Sequence, residues 1–268
     1  DKTLRVHLHS NSPDSAMALF EQFGVVVDVE LEDMHEMTAA RSARLAGGNG
    51  AVAAARLPRG RCGVVAVVSA GGIAQLFREL GATVVDGGVT LNPSTAELVA
   101  AIDSAPEDEV VVLPNSSNVI LAAERAAELA NKPATVVPTV SQQAGLSAVV
   151  ALNPNSAAAD NAQTMCSLLV TIRSGGVAQA VRDDVDGRFR IGDAVGFINE
   201  DLIAWGDPAL TLRSVLARLG DEAEVMTCIA GASAPLSGDE VRGLAPPETE
   251  LELLDGGQPN WWWLIAAE

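Results

Sequence analysis

Short runs of β-branched residues alternate with helical segments between residues 63 and 152, and this alternation constrains the fold more than any other feature. Each run is followed by Gly, Pro or Asn and then by a helix, which is the spacing of βαβ units. Such units predict a parallel sheet with right-handed crossovers. The predicted strands cover 64–68, 83–86, 110–113 and 135–137, and the predicted helices cover 73–80, 94–103, 119–131 and 142–152.

The rest of the chain follows two other patterns. Residues 155–181 are rich in Ala and predict one long helix that breaks near Gly175, after which short strands and helices alternate. The chain opens with Asp1 and runs at once into a strand, so we expect it to begin inside a domain whose earlier strands lie upstream. The predicted fold class is α/β, with a partial small β-α-β domain at 1–38, a linker at 39–60, a parallel α/β lobe at 61–152 and an α+β lobe at 153–268.

An excess of acidic residues limits the partners. The chain has 17 Lys and Arg against 35 Asp and Glu, a formal net charge of −18, which disfavours nucleic acid and anionic membrane surfaces. Residues 153–268 hold 18 acidic and 7 basic residues, which suits either solubility or a basic partner surface. No apolar run approaches the ~20 residues of a membrane span, and three cysteines are too few for a disulfide framework. These features predict a cytoplasmic protein with no transmembrane segment.

Two histidines on the first strand are candidate metal ligands. His7 and His9 lie two residues apart, so their side chains share one face of the strand and can bind one Zn²⁺ together. A zinc site needs a third protein ligand, and the candidates Asp14, His35 and Cys62 have no diagnostic spacing. Two solvent-facing histidines on a half-buried strand explain the same pattern without a metal.

Two polar loops follow neighbouring strands of the predicted parallel sheet. Their hydroxyls and backbone N–H groups can bind an oxyanion, although Ser94 and either Asn115 or Ser116 are also natural helix N-caps. The glycines at 69–72 favour tight strand–helix packing over a phosphate site. The candidate ligand residues in the two loops are Thr90, Ser94, Ser116 and Ser117.

Two further features favour packing over chemistry. Cys166 and Cys228 lie in apolar segments, whereas Cys62 could be exposed but has no evident activating partner. The three adjacent tryptophans at 261–263 predict a C-terminal strand. They face alternate sides, so a buried edge strand is favoured over the alternative that at least one of them packs on another lobe or another protein.

Together these motifs resemble the catalytic subunit of bacterial fatty acid kinase, in which a dihydroxyacetone-kinase-like ATP domain is fused to a middle domain and a C-terminal DegV-like domain. Two departures from the family are Val89, where Gln is usual, and 140–143, where a Lys-Thr-like sequence is usual. The matching motifs span nearly the whole chain, at 6–9, 87–95, 113–118, 137–139, 180–183 and 256–259.

The resemblance implies roles for several residues. His7 and His9 match a zinc-binding pair of the middle domain, whose third ligand is a Cys upstream of Asp1, so the site here is incomplete. ATP and Mg²⁺ would be bound by a kinase domain that this chain lacks. Thr90, Ser94 and Ser116 occupy places comparable to the Thr and Ser residues that hold the acyl carboxylate in the DegV-type fatty-acid-binding partner.

Three functions are therefore open. The leading hypothesis is a non-catalytic, homodimeric region of a fatty-acid-kinase-like protein that docks a DegV-type fatty-acid-binding partner, whose bound acyl chain the kinase domain phosphorylates. A second is a protein that itself binds a fatty acid or another carboxylate between its lobes through Thr90 and Ser116. A third is a zinc-dependent hydrolase centred on His7 and His9.

Overall fold

The computed structural model describes residues 60–69, 71–221 and 223–268. The predicted β-α-β piece and almost all of the predicted linker lie outside these residues. Within them, the central strand β1 (Cys62–Val68) has all seven residues buried. Burial on both faces is typical of a parallel sheet covered by helices on each side. Side chains of β1 alternate between two cores, with Val64 and Val68 in one and Val65 and Val67 in the other.

Sheet A confirms the predicted parallel α/β architecture. Its four strands lie in the order β2-β1-β3-β4, and every neighbouring pair is parallel. The remaining strands are β2 (Thr83–Asp86), β3 (Glu109–Leu113) and β4 (Ala134–Val136). The helices that connect and follow them are α1 (Gly71–Glu79), α2 (Thr95–Ser104), α3 (Ile120–Leu129), α4 (Gln142–Val150) and α5 (Ala158–Leu169).

Sheet B is a mixed sheet of six strands in the order β7-β6-β5-β10-β8-β9. Only the β8–β9 pair is parallel. Its strands are β5 (Arg173–Gln179), β6 (Ala194–Ile198), β7 (Asp201–Gly206), β8 (Val225–Ala230), β9 (Glu250–Asp255) and β10 (Trp261–Ala267), and its helices are α6 (Pro208–Leu219) and α7 (Gly238–Arg242).

Three hydrophobic cores hold these elements together. Core 3 lies between sheet A and the pair α2 and α3, and core 2 lies between sheet B and the pair α6 and α7. Core 1 contains residues of both sheets, because Ile73 and Phe77 of α1 share it with Ile229 of β8 and Leu264 of β10. Helix α4 contacts strands of both sheets, while α1 and α5 pack beside it on sheet A.

The second half of the chain departs from the sequence predictions in three places. The predicted helix over 155–181 ends at Leu169, and β5 begins at Arg173. Strand β7 was not predicted. The tryptophan strand β10 lies inside sheet B between β5 and β8, not at an edge. A register shift between Trp261 and Trp263 lets Trp262 and Trp263 both enter core 2, while Trp261 packs against core 1.

An ion pair organises the long connection from β5 to β6. The Asp184 carboxylate accepts hydrogen bonds from Arg188 Nε at 2.8 Å and from Arg188 Nη2 at 2.9 Å. The Asp184 side chain is only 7% exposed, whereas Arg188 is 42% exposed. These bonds lower the pKa of Asp184 from 3.8 to about 2. Because the pKa is lower in the folded state, the stabilisation is complete above about pH 4 and is lost as the pH falls towards 2.

We expect the Arg188→Ala substitution to return the pKa of Asp184 towards 3.8, because the guanidinium is the main cause of its depression. Carbon-detected NMR titration of the carboxyl group measures this shift. Amide hydrogen exchange in 180–193 should become faster in the same variant at neutral pH. The Arg242→Ala variant, which removes a surface pair on α7, is the control and should leave that exchange unchanged.

Candidate functional site

Loops from both sheets meet at the carboxyl ends of the sheet A strands. In a parallel sheet, the loops that follow all strands lie at one edge, which is where ligands and partners bind in open α/β folds. The turn before β10 reaches the same edge, since Gly256 O accepts a hydrogen bond from Ile73 N–H at 3.1 Å and Asn260 Nδ2 donates to Val89 O at 3.2 Å. We call these five loops, 69–72, 87–94, 114–119, 137–143 and 256–260, the carboxyl-edge face.

Asn115 is the buried centre of the face. It has a left-handed backbone, with φ at +56°, and it is 1% exposed. Its Nδ2 donates to Val67 O at 2.8 Å, its Oδ1 accepts from Thr139 Oγ1 at 2.8 Å, and its backbone N–H donates to the same hydroxyl at 3.0 Å. Space for this side chain exists because Gly145 of α4 has no Cβ; an added Cβ would overlap Asn115 Oδ1. Asn115 thus ties β3 to β1 and to the segment after β4.

Two glutamines attach the first turn of α4 to its surroundings. Gln142 Oε1 accepts from Ser69 N–H at 2.8 Å, and Gln142 Nε2 donates to Ser69 Oγ at 3.0 Å. Gln143 Nε2 donates to Gly175 O of sheet B at 3.1 Å. Both glutamines are buried. The polar groups near the N-terminus of α4 therefore bond mainly to the protein itself.

The turn before β10 closes the N-terminus of α1. A Cβ on Gly72 would lie 2.6 Å from Gly256 O, so only glycine permits this contact. The buried Gln258 holds the turn by donating from Nε2 to Ile229 O at 2.8 Å. Since Gly256 O already accepts a hydrogen bond at the N-terminus of α1, Gly72 serves tight packing, as the sequence favoured, whereas a Cβ on Gly71 would meet nothing within 4 Å.

The structure places the four predicted ligand residues on the carboxyl-edge face, in different environments. Ser94 is the N-cap of α2 and forms a capping box with Glu97, so its hydroxyl serves the helix. Thr90 and Ser117 are exposed, and Ser116 is half-buried. Two surface depressions of the described residues are lined by other side chains. A ligand role for these four residues stays a prediction.

The carboxyl-edge face carries no charge. Its five loops together hold 30 residues without an Asp, Glu, Lys, Arg or His, whereas charged residues make up 19% of the chain. Asp86, Glu97 and Asp255 lie beside the loops. Two apolar side chains project from the face, Val89 at 53% exposure and Val140 at 60%. Depletion of charge at an exposed surface is characteristic of the centre of a protein–protein interface.

Two of the three cysteines, Cys62 and Cys228, are buried and are poor nucleophiles. Cys62 is buried, contrary to the expectation that it could be exposed, and burial raises the pKa of its thiol. Burial raises the pKa of Cys228 to about 12. Thiols held in the neutral form are unreactive.

The predicted metal ligands His7 and His9 lie outside the described residues. Among residues 60–69, 71–221 and 223–268, no group of three or more His, Cys, Asp or Glu side chains could hold a metal ion. In the same residues, none of the helices combines the length and the apolar character needed to cross a membrane.

Sequence reasoning missed the residues that bond beneath the face. Asn115, Thr139, Gln142, Gln143 and Gln258 are all buried polar residues. The sequence did contain a usable signal. Each of these polar residues lies in a segment that has no charged residues and that follows or precedes a strand. Their partners lie far away in the sequence, so only the fold reveals them.

Comparison with known proteins agrees with this architecture. A family model for the C-terminal region of FakA-like fatty acid kinase proteins matches residues 63–268. Protein YloV of Bacillus subtilis (strain 168) is 32% identical over 276 residues, which cover 98% of this chain and 49% of that protein. The chain thus spans about half the length of the curated relatives it matches.

Two solved structures share the fold. A DegV family protein from Eubacterium eligens, loaded with heptadecanoic acid, has a TM-score of 0.53 at 12% identity and covers 77% of this chain and 99% of its own. The Fatty Acid Kinase (Fak) B3 protein of Streptococcus pneumoniae, loaded with linoleic acid, has a TM-score of 0.52 at 9% identity. The match covers 78% of this chain and 99% of that protein. At these identities the likeness establishes a DegV fold.

We expect the Gly145→Ala substitution to lower the free energy of unfolding by about 2 kcal/mol or more, because the new Cβ displaces Asn115 and breaks buried hydrogen bonds. Urea unfolding measures the change. The matched control is Gly71→Ala in α1, whose Cβ would meet nothing within 4 Å and whose effect should stay within about 0.5 kcal/mol. Equal effects of the two substitutions would contradict a tight Asn115 site.

Proposed function

Because the chain belongs to the FakA-like C-terminal family of fatty acid kinase proteins, we propose that it is a non-catalytic region that docks a DegV-type fatty-acid-binding protein. The acyl carboxylate held by that partner would attack the γ-phosphate of ATP, giving an acyl phosphate and ADP. ATP and Mg²⁺ would be bound by a kinase domain of the longer protein. Since the curated relatives are about twice as long as this chain, they have room for such a domain.

The observation that carries this proposal is the carboxyl-edge face. A buried carboxylate needs a cation or several free donors, because desolvation of its charge is costly. No Lys, Arg or His lies in the five loops, and the N-termini of α1, α2 and α4 are already capped by Gly256 O, Ser94 and Ser141. An uncharged face with two exposed valines is better suited to another protein than to a fatty acid headgroup.

A second candidate function is that the chain itself holds a fatty acid. Its support is that two proteins of the same fold are described as loaded with fatty acids. Against it stands core 1, in which side chains of α1 pack directly on β8 and β10 between the lobes. Mass spectrometry of the natively purified protein decides between the two, since a stoichiometric fatty acid would favour this second function.

The oligomeric state and the cellular location are proposals as well. We infer a homodimer in the cytoplasm, where ATP is available to the kinase reaction. A hydrolase centred on His7 and His9 stays a prediction, because both histidines lie outside the described residues.

The docking proposal predicts that charges placed on the carboxyl-edge face abolish partner binding. The Val89→Glu and Val140→Glu substitutions together should raise the Kd for a DegV-type fatty-acid-binding protein from the same organism by at least about tenfold, because each buries an unpaired carboxylate in the interface. Isothermal titration calorimetry measures the affinity.

The matched control for this pair is Val150→Glu. Val150 is 71% exposed at the last residue of α4, whose first residue lies at the carboxyl-edge face. The control should bind like the unsubstituted chain. Equal affinity of the double variant and the control would exclude this face as the docking site.

The zinc proposal predicts that metal binding depends on the histidine pair. Two imidazoles alone hold zinc weakly, so this chain should bind less than one zinc per molecule, whereas a chain extended upstream to the proposed Cys should bind one. Elemental analysis after dialysis measures the content. His7→Ala or His9→Ala in the extended chain should remove the zinc, and retention of full zinc in both variants would refute the site.

A further inference from the structure

Strand β9 ends one side of sheet B and leaves a row of backbone groups open. It pairs in parallel with β8 over all six of its residues without a register shift, and it is the last described strand on that side. The N–H groups of Glu250 and Gly256 donate towards β8 at the two ends of this ladder, so the even-numbered residues bond to β8. The backbone groups of Leu251 and Leu253 therefore point away from the sheet.

This open row is long enough for a short added strand. It comprises the N–H and C=O groups of Leu251 and Leu253 and the N–H group of Asp255, and none of these groups has a hydrogen-bond partner in the part of the chain that the structure describes. The row ends at the carbonyl of Asp255, which lies beside Gly72 of α1. β9 contains no Pro, Lys or bulge, the features that commonly keep an edge strand from pairing.

The other described edges of the two sheets are less open. β2 and β4, the edge strands of sheet A, have only four and three residues. β7, at the opposite edge of sheet B, changes register with β6 between Gly196 and Phe197. Short strands and bulges both oppose pairing with a foreign strand. Among these edges, β9 is therefore the one best suited to accept another strand.

The chain is acidic around β9. Residues 243–268 hold five acidic side chains and no Lys, Arg or His. Glu250 and Glu252 lie on β9 itself, Glu248 lies just before it, and all three are exposed. Within the described residues, none of the five acidic side chains forms an ion pair. The strand therefore presents negative charge that no cation of the described chain neutralises.

The arginines on the elements next to β9 do not reverse this charge. Arg242 of α7 already pairs with Asp239 at 3.2 Å. Arg218 of α6 lines a surface depression together with Asp221 and Glu248, so two carboxylates accompany its one positive charge. The surface near the start of β9 thus stays net negative when every neighbouring arginine is counted.

The two faces of β9 differ in character. Leu251 and Leu253 pack against core 2, whereas Leu254 packs against core 1, which contains residues of α1. Because side chains alternate along a strand, Glu250 and Glu252 project on the side of Leu254. A strand added at this edge would therefore meet half-buried leucines on one face and carboxylates on the other.

A surface depression of about 450 Å³ lies between α1 and the carboxyl end of β9. Leu76 and Glu79 of α1 line it, and Glu79 Oε1 accepts a hydrogen bond from Gln75 Nε2 at 2.8 Å. Arg78 is about 100° around the helix from Glu79, off this face. A Lys or Arg side chain suits the depression, because its aliphatic stem can cover Leu76 while its charge stays close to the Glu79 carboxylate.

These features select the chemistry of the occupant. A second copy of β9 would bring its own Glu250 and Glu252 against the same carboxylates, and like charges on paired strands are destabilising. A nucleic acid backbone would be repelled for the same reason. A strand in which basic and apolar residues alternate satisfies both faces, since its cations meet the glutamates and its apolar side chains cover Leu251 and Leu253.

We propose that β9 accepts an extended segment of another protein in which Lys or Arg alternates with apolar residues, with the basic side chains facing Glu250, Glu252 and Glu79. Main-chain hydrogen bonds to the open row give the added strand its affinity, and the acidic face gives it specificity. The acidic residues that define this site lie outside the carboxyl-edge face, so its test is independent of the docking test with Val89 and Val140.

Fluorescence anisotropy of the full chain with a short labelled peptide of alternating Lys and Val tests the charge requirement. The peptide should bind, and a peptide of alternating Glu and Val should not. Glu250→Lys with Glu252→Lys should raise the Kd for the Lys–Val peptide by at least about tenfold. The matched control is Glu124→Lys with Glu128→Lys on α3, two exposed positions with the same change in net charge, and it should bind like the unsubstituted chain.

Amide hydrogen exchange of the unsubstituted chain, followed by NMR, tests the backbone contact. The amides of Leu251 and Leu253 should exchange quickly in the free chain, and a saturating amount of the Lys–Val peptide should slow both by at least about tenfold. The amides of Glu252 and Leu254 already bond to β8, so they should be protected with and without the peptide.

Four results would overturn the proposal. The first is absence of binding by the Lys–Val peptide. Equal loss of affinity in the β9 and α3 variants, with circular dichroism showing both folded, would assign the attraction to overall charge. Binding without slower exchange at Leu251 and Leu253 would exclude an added strand. Slow exchange of these two amides in the free chain would show that another part of the chain already covers the edge.

Discussion

The described fold depends on how its most buried strand ends. β1 is covered on both faces, so the carbonyl groups near its carboxyl end need partners from the protein rather than from water. Asn115 supplies one by donating to Val67 O, and it does so from a left-handed backbone beside a helix residue without a side chain. The same contacts set the position of α4, and Gln143 then connects α4 to sheet B. The buried amides of Asn115 and Gln143 together thus link the two sheets.

Local sequence signals predicted sheet A well. Its four strands and five helices are indicated by β-branched runs, capping residues and turn glycines, all of which act over a few neighbouring positions. Sheet B depends on distant partners. The place of β10 is set by pairing with β5 and β8, and among the strands that the structure describes β7 pairs with β6 alone. No short-range pattern contains that information, so the tryptophan strand was wrongly placed at an edge.

The predicted site residues show the same division between local patterns, which the sequence reveals, and distant contacts, which it does not. The Ser and Thr positions were predicted to lie at one edge of the sheet, and they do, because loops after parallel strands must meet there. The role of each hydroxyl could not be predicted, because a hydroxyl that caps a helix and a hydroxyl that binds a ligand occur in the same sequence pattern. Ser94 belongs to the first kind. The two departures from the fatty acid kinase pattern, Val89 and 140–143, each place an exposed valine on the carboxyl-edge face.

Core 1 has a mechanical consequence. Ile73 and Phe77 of α1 share one hydrophobic cluster with Ile229 and Leu264, so a movement that separated the two lobes would expose apolar side chains of core 1 to water. We therefore expect sheet A and sheet B to move together as one body when a partner binds at the end of sheet A.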